Sequence, residues 1–231
     1  MQTLPTVPLG ITGYAAAWDL QKRLHTRVVD GSIPGVLLLL QHPHVFTIGR
    51  RGVQSHVLAG EAELRALGVE VHEIDRGGEV TYHGPGQLVG YPIIDVKRAG
   101  GPLKYVRSLE QSIIATLADF GIASESVNRP TGVWIGDAKI AAIGVKVGRG
   151  VTTHGFALNV TTDLSFFSRI IPCGLPDAPV TSIAALRPRF GSIEAVMSSF
   201  CSQFGKILGY DIELTTLDAL ETQTAAPAHV R

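Results

Sequence analysis

The stretch from Gly132 to Val160 reads as three strands in immediate succession: Gly132–Ile135, Lys139–Val147 and Gly155–Val160. Gly136-Asp137 joins the first two, as a tight hairpin requires. Four further strand-like runs precede them. Val36–Gln41 and Val45–Ile48 are broken by His42-Pro43, and Val69–Ile74 and Gln87–Asp95 follow. Helical spacing is confined to few places. Leu103, Val106, Leu109, Ile113, Ile114, Leu117 and Phe120 form one stripe, with Pro102 near its start and Gly121 at its end. Ile193–Leu208 forms a second amphipathic helix, and Ala59–Leu67 a short one that ends at Gly68, a C-cap residue. Tyr210–Leu214 reads as a last strand. Many strands and few helices in no regular alternation predict an α+β fold, a mixed β-sheet flanked by helices. Residues 1–220 are expected to form one domain, with about 180–220 as a small C-terminal subdomain. The small, polar run from Glu221, ETQTAAPAHVR, is expected to be a disordered tail.

Composition removes several function classes. Lys plus Arg number 20 and Asp plus Glu number 20 in 231 residues, so no global field draws the chain to nucleic acid or to an anionic membrane. The longest strongly apolar run, Val36 to Leu40, is far short of the roughly 20 residues that span a bilayer. The N-terminus MQTLPTVPLG lacks the charged and apolar regions of a secretory signal, which makes the cytoplasm the expected address. Two cysteines make no disulfide framework, and no close Cys pair offers a zinc site. No cofactor and no metal are therefore expected.

Three stretches carry chemical potential. Arg76 to Gln87, RGGEVTYHGPGQ, is rich in Gly and Pro on either side of Thr81, Tyr82 and His83. Gly77-Gly78 lets backbone approach a ligand closely, and Gly84-Pro85-Gly86 turns the chain sharply after His83. Such a loop can present N–H groups to a carbonyl or an anion. It can equally be a tight hairpin whose histidine caps a turn. Asp137 to Lys146, DAKIAAIGVK, opens an apolar strand with Lys139. Strict alternation would put Lys139, Ala141 and Ile143 on one face. That lysine is either an edge-strand charge or a functional amine, since burial disfavours the ammonium form and suits it to work as a base. The third stretch is IPCGLP, residues 171–176. Cys201 lies beside a helical stripe and reads as a core hydrophobe. Cys173 lies outside any periodic pattern, on a loop of the kind that carries catalytic groups. A nucleophilic thiol needs a base or a positive neighbour, and His83, His154 and Lys139 are the candidates by type. His42 and His44, flanking Pro43, lack partners at ligand spacing and read as turn histidines.

Together these stretches resemble the lipoyl(octanoyl) transferases, the thioester-using branch of the biotin/lipoate protein ligase superfamily. The resemblance rests on LQHPHVFTIGR at 40–50, RGGEVTYHGPGQLVGYPIID at 76–95, TGVWIGDAKIAAIGVKV at 131–147, THGFALNV at 153–160 and IPCGL at 171–175. It covers most of residues 14 to 210. It implies that fold, and transfer of a medium-length acyl chain, typically octanoyl, from acyl carrier protein to a lysine of a lipoyl domain. The acceptors it implies are the carrier domains of 2-oxoacid dehydrogenases and the glycine cleavage H protein. It implies Cys173 as the acyl-accepting nucleophile and Lys139 as its acid/base partner. It further implies an acyl-binding wall from Arg76, Gly77, Gly78, Thr81, Tyr82, His83 and Gly84 through Gln87. Ala142, Ile143 and Gly144, with His154, Gly155 and Ala157, are implied as its other side. An ATP-dependent ligase on the same fold is the alternative, and the Pro-Cys-Gly segment favours the transferase. Because carrier proteins of this kind are acidic, a basic rim is expected from Arg50, Arg51, Arg76 and Arg149.

Overall fold

The computed structural model describes residues 1–126, 130–171, 179–188 and 192–222. The chain runs β1 (Gln2–Ile11), α1 (Tyr14–Val29), β2 (Val36–Gln41) and β3 (Val45–Ile48). A 3₁₀ turn at Gln54–His56 and α2 (Glu61–Leu67) lead to β4 (Glu70–Glu73), β5 (Val80–His83) and β6 (Gln87–Ile93). Then come α3 (Pro102–Asp119), β7 (Gly132–Ile135), β8 (Ala138–Gly148) and β9 (Val151–Asn159). A 3₁₀ segment, Leu164–Arg169, precedes α4 (Ile183–Leu186), α5 (Ile193–Leu208), β10 (Tyr210–Leu214) and α6 (Leu217–Thr222).

Seven strands form one mixed sheet in the order β10-β1-β2-β6-β9-β8-β7. The β10, β1 and β2 ladders are parallel, and the remainder, from β2 through β7, are antiparallel. This is the expected mixed sheet flanked by helices. The continuous apolar run of β2 follows from cover on both faces. Leu37 and Leu39 pack on the side of α3 and α5, with Leu109, Ile113, Leu117, Val196, Phe200 and Phe204. Val36, Leu38 and Leu40 pack on the other side, against Ala17, Leu20 and Leu24 of α1. Cys201 belongs to the first core, and burial pushes its thiol up to about 11. It is a packed hydrophobe, as its helical context predicts.

A second, smaller sheet has the order β4-β3-β5, with its own apolar cluster around Phe46, Val80, Tyr82 and Phe166. It stands against the β8–β9 part of the main sheet, and the space between them is the cleft described below.

Two parts of the fold escape sequence patterning. Within residues 1–30, β1 contains Pro5 and Pro8, residues that argue against an inner strand. The ladder to β2 accommodates them with an irregularity between Pro8 and Ile11. Strand β5 is only four residues between glycine-rich turns, so it reads as loop. Pairing with β3, Thr47 opposite Thr81, makes it a strand. Helix α2 starts two residues later than its apolar pattern suggests and ends as expected, at Gly68 with φ 63°.

Candidate active site

A partly open cleft lies between the two sheets, lined from both. From the small sheet and the turn before it come Arg76, Gly78, Thr81 and His83; from the main sheet come Lys139, Ala142, Ile143, Gly144, His154, Gly155 and Ala157. Eleven of the residues implied by the family resemblance thus meet in one place. Gly77 lines the adjoining open groove instead. Tyr82 points away, into the cluster with Phe46 and Phe166, and its hydroxyl meets His44 Nδ1 at 2.7 Å. Gly84 does not line the cleft either: a Cβ there would collide with the Tyr82 hydroxyl. Cys173 lies outside the described residues.

Arg76, expected on a basic rim, is buried. Its guanidinium donates to the carbonyls of Thr47 at 2.8 Å, Gly77 at 3.0 Å and Glu79 at 2.7 Å, and to Thr47 Oγ1 at 2.9 Å. It braces the backbone that carries Gly77 and Gly78, because a chain bent through two glycines leaves carbonyls that need donors. Arg149 sits in the turn between β8 and β9 near Asp30, away from the cleft. Only Arg50 and Arg51 of the four line the open groove that leads to Lys139.

Lys139 is 8% exposed. Its placement depends on a β-bulge. Trp134 pairs with Lys139 but Val133 pairs with Ala141, so Ile140 is an extra residue on β8. Bulges re-aim side chains next to active sites. Here Lys139 and Ala142 reach the cleft while Ile140 and Ala141 enter the core, which breaks the strict alternation expected for Lys139 and Ala141. The ammonium lies 4.7 Å from the Trp134 ring centroid and 3.5 Å from the Thr131 carbonyl. Gly132, φ +138°, is required between them: a Cβ there would lie 2.6 Å from the Ala141 carbonyl and 3.3 Å from Lys139 Cε. The buried Glu110 of α3 accepts the Gly132 N–H at 3.2 Å and so anchors this turn.

The backbone of Lys139 is tied to the segment at Pro179–Thr181. Its N–H donates to the Pro179 carbonyl at 2.8 Å, and its own carbonyl accepts from the Thr181 N–H at 3.0 Å.

At the other end the histidines are neutral and their tautomers are set by their partners. Gln87 Nε2 donates to the Tyr82 carbonyl and to Asn159 Oδ1, which turns its Oε1 toward His83. His83 Nδ1–H therefore donates to Gln87 Oε1 at 2.8 Å, and Nε2 faces the Thr47 hydroxyl at 3.4 Å. Burial holds His83 well below the usual histidine range. His42 Nδ1–H donates to the Thr12 carbonyl, and its Nε2 meets the Tyr91 hydroxyl, both at 2.7 Å; burial lowers it to about 4. His154 occupies the left-handed region at φ 57°, a conformation a β-strand residue adopts only when its surroundings compel it. The Gln21 side chain accepts its backbone N–H at 2.7 Å, and Asp75 Oδ1 accepts its Nε2–H at 2.8 Å. Burial lowers His154, and the His154 hydrogen bond, with Lys146 beside it, holds Asp75 below the ordinary carboxylate range.

Tyr14, Tyr91 and Thr131 also line this cleft, and Asp75 supports it through His154, though sequence reasoning names none of the four as a site residue. Tyr91 falls within the matched segment 76–95, whereas Tyr14 stands at the start of a helix the sequence pattern did not mark. Among the described residues no group of three or more His, Cys, Asp or Glu side chains is arranged to hold a metal ion. No helix among them is long and apolar enough to cross a membrane.

A family profile described as the lipoyl protein ligase A/B catalytic domain matches residues 13–205. The chain belongs to that family. An octanoyltransferase of Solibacter usitatus is 50% identical over 207 residues, covering 88% of this chain and 92% of its own. An octanoyltransferase of Chloroflexus aurantiacus is 47% identical over 221 residues, covering 94% and 99%. Among solved structures, the bi-partite lipoate protein ligase of Thermoplasma acidophilum superposes with a TM-score of 0.69 at 17% identity, covering 96% of this chain and 91% of its own. The likeness to the ligase is one of fold. The high-identity relatives are octanoyltransferases, so within the lipoyl protein ligase A/B family the transferase branch is favoured over the ATP-dependent one.

Proposed function

We propose that the chain is an octanoyltransferase of protein lipoylation that works through an acyl-cysteine at Cys173, with Lys139 as acid and base. Residues 1–220 act as one catalytic domain in the cytoplasm. The octanoyl donor is acyl carrier protein. The acceptors are lysines of lipoyl domains, in 2-oxoacid dehydrogenase subunits and in the glycine cleavage H protein.

The observation that carries this reading is the tie between Lys139 and the chain just beyond IPCGLP. Pro179, six positions after Cys173 in sequence, accepts the Lys139 N–H. A lysine in a cleft, joined by backbone hydrogen bonds to Pro179 and Thr181, a few residues beyond the motif thiol in sequence, suits a two-step acyl transfer. In the first step the Cys173 thiolate attacks the donor's thioester carbonyl. A carbon–sulfur bond to Cys173 forms, the bond to the carrier's sulfur breaks, and the proton taken up by Lys139 passes to the departing thiolate. In the second step the acceptor amine attacks the acyl-cysteine. The amide forms, Cys173 leaves as thiolate, and Lys139 takes the amine's surplus proton. One thioester replaces another in the first step, so no nucleotide is needed.

Incubation with octanoyl-carrier protein alone, read by intact mass, tests this. One octanoyl group should appear, labile to hydroxylamine. It should vanish in Cys173→Ala and persist in Cys201→Ala. Transfer to a lipoyl domain should need neither ATP nor magnesium. An adduct on Cys201, or strict ATP dependence, would overturn the reading.

A further inference from the structure

The cleft has a graded exposure that gives it a direction. Thr131 is exposed and Gly78, Glu79, Ile143 and Gly144 are half-buried, and all five also line the open groove with Arg50 and Arg51. Tyr14, Tyr91 and His154 line the inner cleft but not the open groove, and are 2%, 3% and 1% exposed. An acyl chain whose carbonyl lies at Lys139 therefore runs inward and ends at this group.

We propose that Tyr14, braced by Tyr91, is the stop that sets the length of acyl chain the enzyme accepts; this rests on the octanoyl-transfer reading above. The group is rigid for reasons visible in its contacts. The Tyr14 ring is held by His42 at 5.0 Å, His72 at 5.4 Å and His83 at 6.1 Å, the last stacked at 14°, with Trp18 at 6.4 Å on its own helix. The Tyr91 hydroxyl is bonded to His42, and His42 to the Thr12 carbonyl, two residues before Tyr14. One hydrogen-bonded chain thus joins β6 to the start of α1. His154 closes the third side, its ring edge-on to Tyr91 at 6.4 Å and 89°. A terminal methyl meets ring faces there, and the hydrogen bonds of His42 run to the Thr12 carbonyl and Tyr91, those of His83 to Gln87 and Thr47, and that of His154 Nε2 to Asp75.

A chain that stops short leaves methylene burial unused, each methylene being worth about fourfold in binding. A chain that overruns must displace a ring locked on several sides, and overpacking of that kind is disfavoured roughly tenfold or more. The result is a peak in chain length rather than a plateau.

The test measures kcat/KM for acyl-pantetheine thioesters of six to fourteen carbons with a lipoyl domain as acceptor. Wild type, Tyr14→Phe, Tyr14→Leu and Tyr14→Ala are compared, each checked for folding by circular dichroism and melting temperature. Wild type and Tyr14→Phe should peak at the same length, because the ring is the stop. Tyr14→Ala should move the peak to longer chains by two or more carbons, with Tyr14→Leu between; Leu keeps an apolar anchor at the first turn of α1 and reports even where Ala unfolds the protein. A folded Tyr14→Leu or Tyr14→Ala with the wild-type peak would overturn the stop while leaving octanoyl transfer intact. A Tyr14→Phe peak displaced as far as that of Tyr14→Ala would overturn it too, since the hydroxyl would then be the determinant. A wild type that transfers no acyl chain of any length would overturn the functional reading, and the stop with it.

Discussion

The two ends of the cleft are built on opposite principles. At the mouth a single amine, Lys139, is delivered by a one-residue bulge to a point between Trp134, the Thr131 carbonyl and the open groove. At the inner end five polar rings, His42, His83, His154, Tyr14 and Tyr91, pack on one another, and Thr12, Thr47, Gln87 and Asp75 fix the histidines by hydrogen bonds. Buried rings packed on several sides and tied by hydrogen bonds to their surroundings make rigid walls. Chemistry therefore belongs to the mouth and shape to the inner end, and the two should respond differently to change.

The largest effect that separates them is expected from Lys139→Arg. Arginine keeps the charge but cannot serve as a base near neutral pH. Single-turnover transfer from preformed acyl-enzyme to a lipoyl domain should fall by roughly 100- to 10,000-fold, with an unchanged melting temperature. Equal rates and an equal pH profile would show that the mouth holds only a charge. The base would then have to be His83 or His154, and the contrast would collapse.

The opposite signature is expected from Gly155→Ala. A Cβ there would run into the Gly90 carbonyl of β6 and lie 2.9 Å from Pro92 Cδ. Backbone cannot yield as a side chain does, so the urea midpoint should drop by the equivalent of about 3 kcal/mol. A stability equal to wild type would mean that β6 and β9 are less rigidly paired behind the inner end than their ladder implies.

Acid should act on the inner end alone. The unfolded chain protonates His42 near pH 6.5, whereas the folded chain holds it neutral down to about 4. Unfolding then takes up a proton in that window, so stability is full above about 6.5 and falls as the pH drops toward 4. His42 supplies on the order of 3 kcal/mol of this loss, and His83 and His154, both lowered by burial, act in the same sense. Urea denaturation from pH 7 to pH 4.5 checks it, and His42→Gln should flatten the slope. A pH-independent midpoint would break the account of buried neutral histidines.

The smallest effect lies outside the mouth, at Arg50 and Arg51. Reversing both to Glu should raise the KM for an acidic acyl-carrier donor by up to about fivefold, the scale of an exposed charge pair. It should also weaken the salt dependence of that KM. Unchanged values would remove the groove from the docking surface.

Much of this protein is legible without coordinates. Val36–Gln41, Val45–Ile48, Gly132–Ile135, Ile193–Leu208 and Tyr210–Leu214 begin and end where apolar period and flanking turns put them, because local patterning and local structure report the same burial. Lys139, Thr81, His83 and Gly155 are marked by motifs whose glycines and prolines constrain backbone at short range. What sequence could not decide is what depends on neighbours distant in the chain. The bulge at Ile140 exists only against β7, and strict alternation would have faced Ala141 to the cleft. Arg76 looks like any surface arginine until strand β3 at Thr47 and the turn at Gly77 and Glu79 point carbonyls at it. Tyr14 carries no motif. It becomes the inner wall because α1 packs across the main sheet and brings its first residue to His42 and His83, 28 and 69 positions away in the chain. Local periodicity encodes which face of an element is buried, while the chemistry of a site depends on which faces meet, and only the packed sheets and helices settle that.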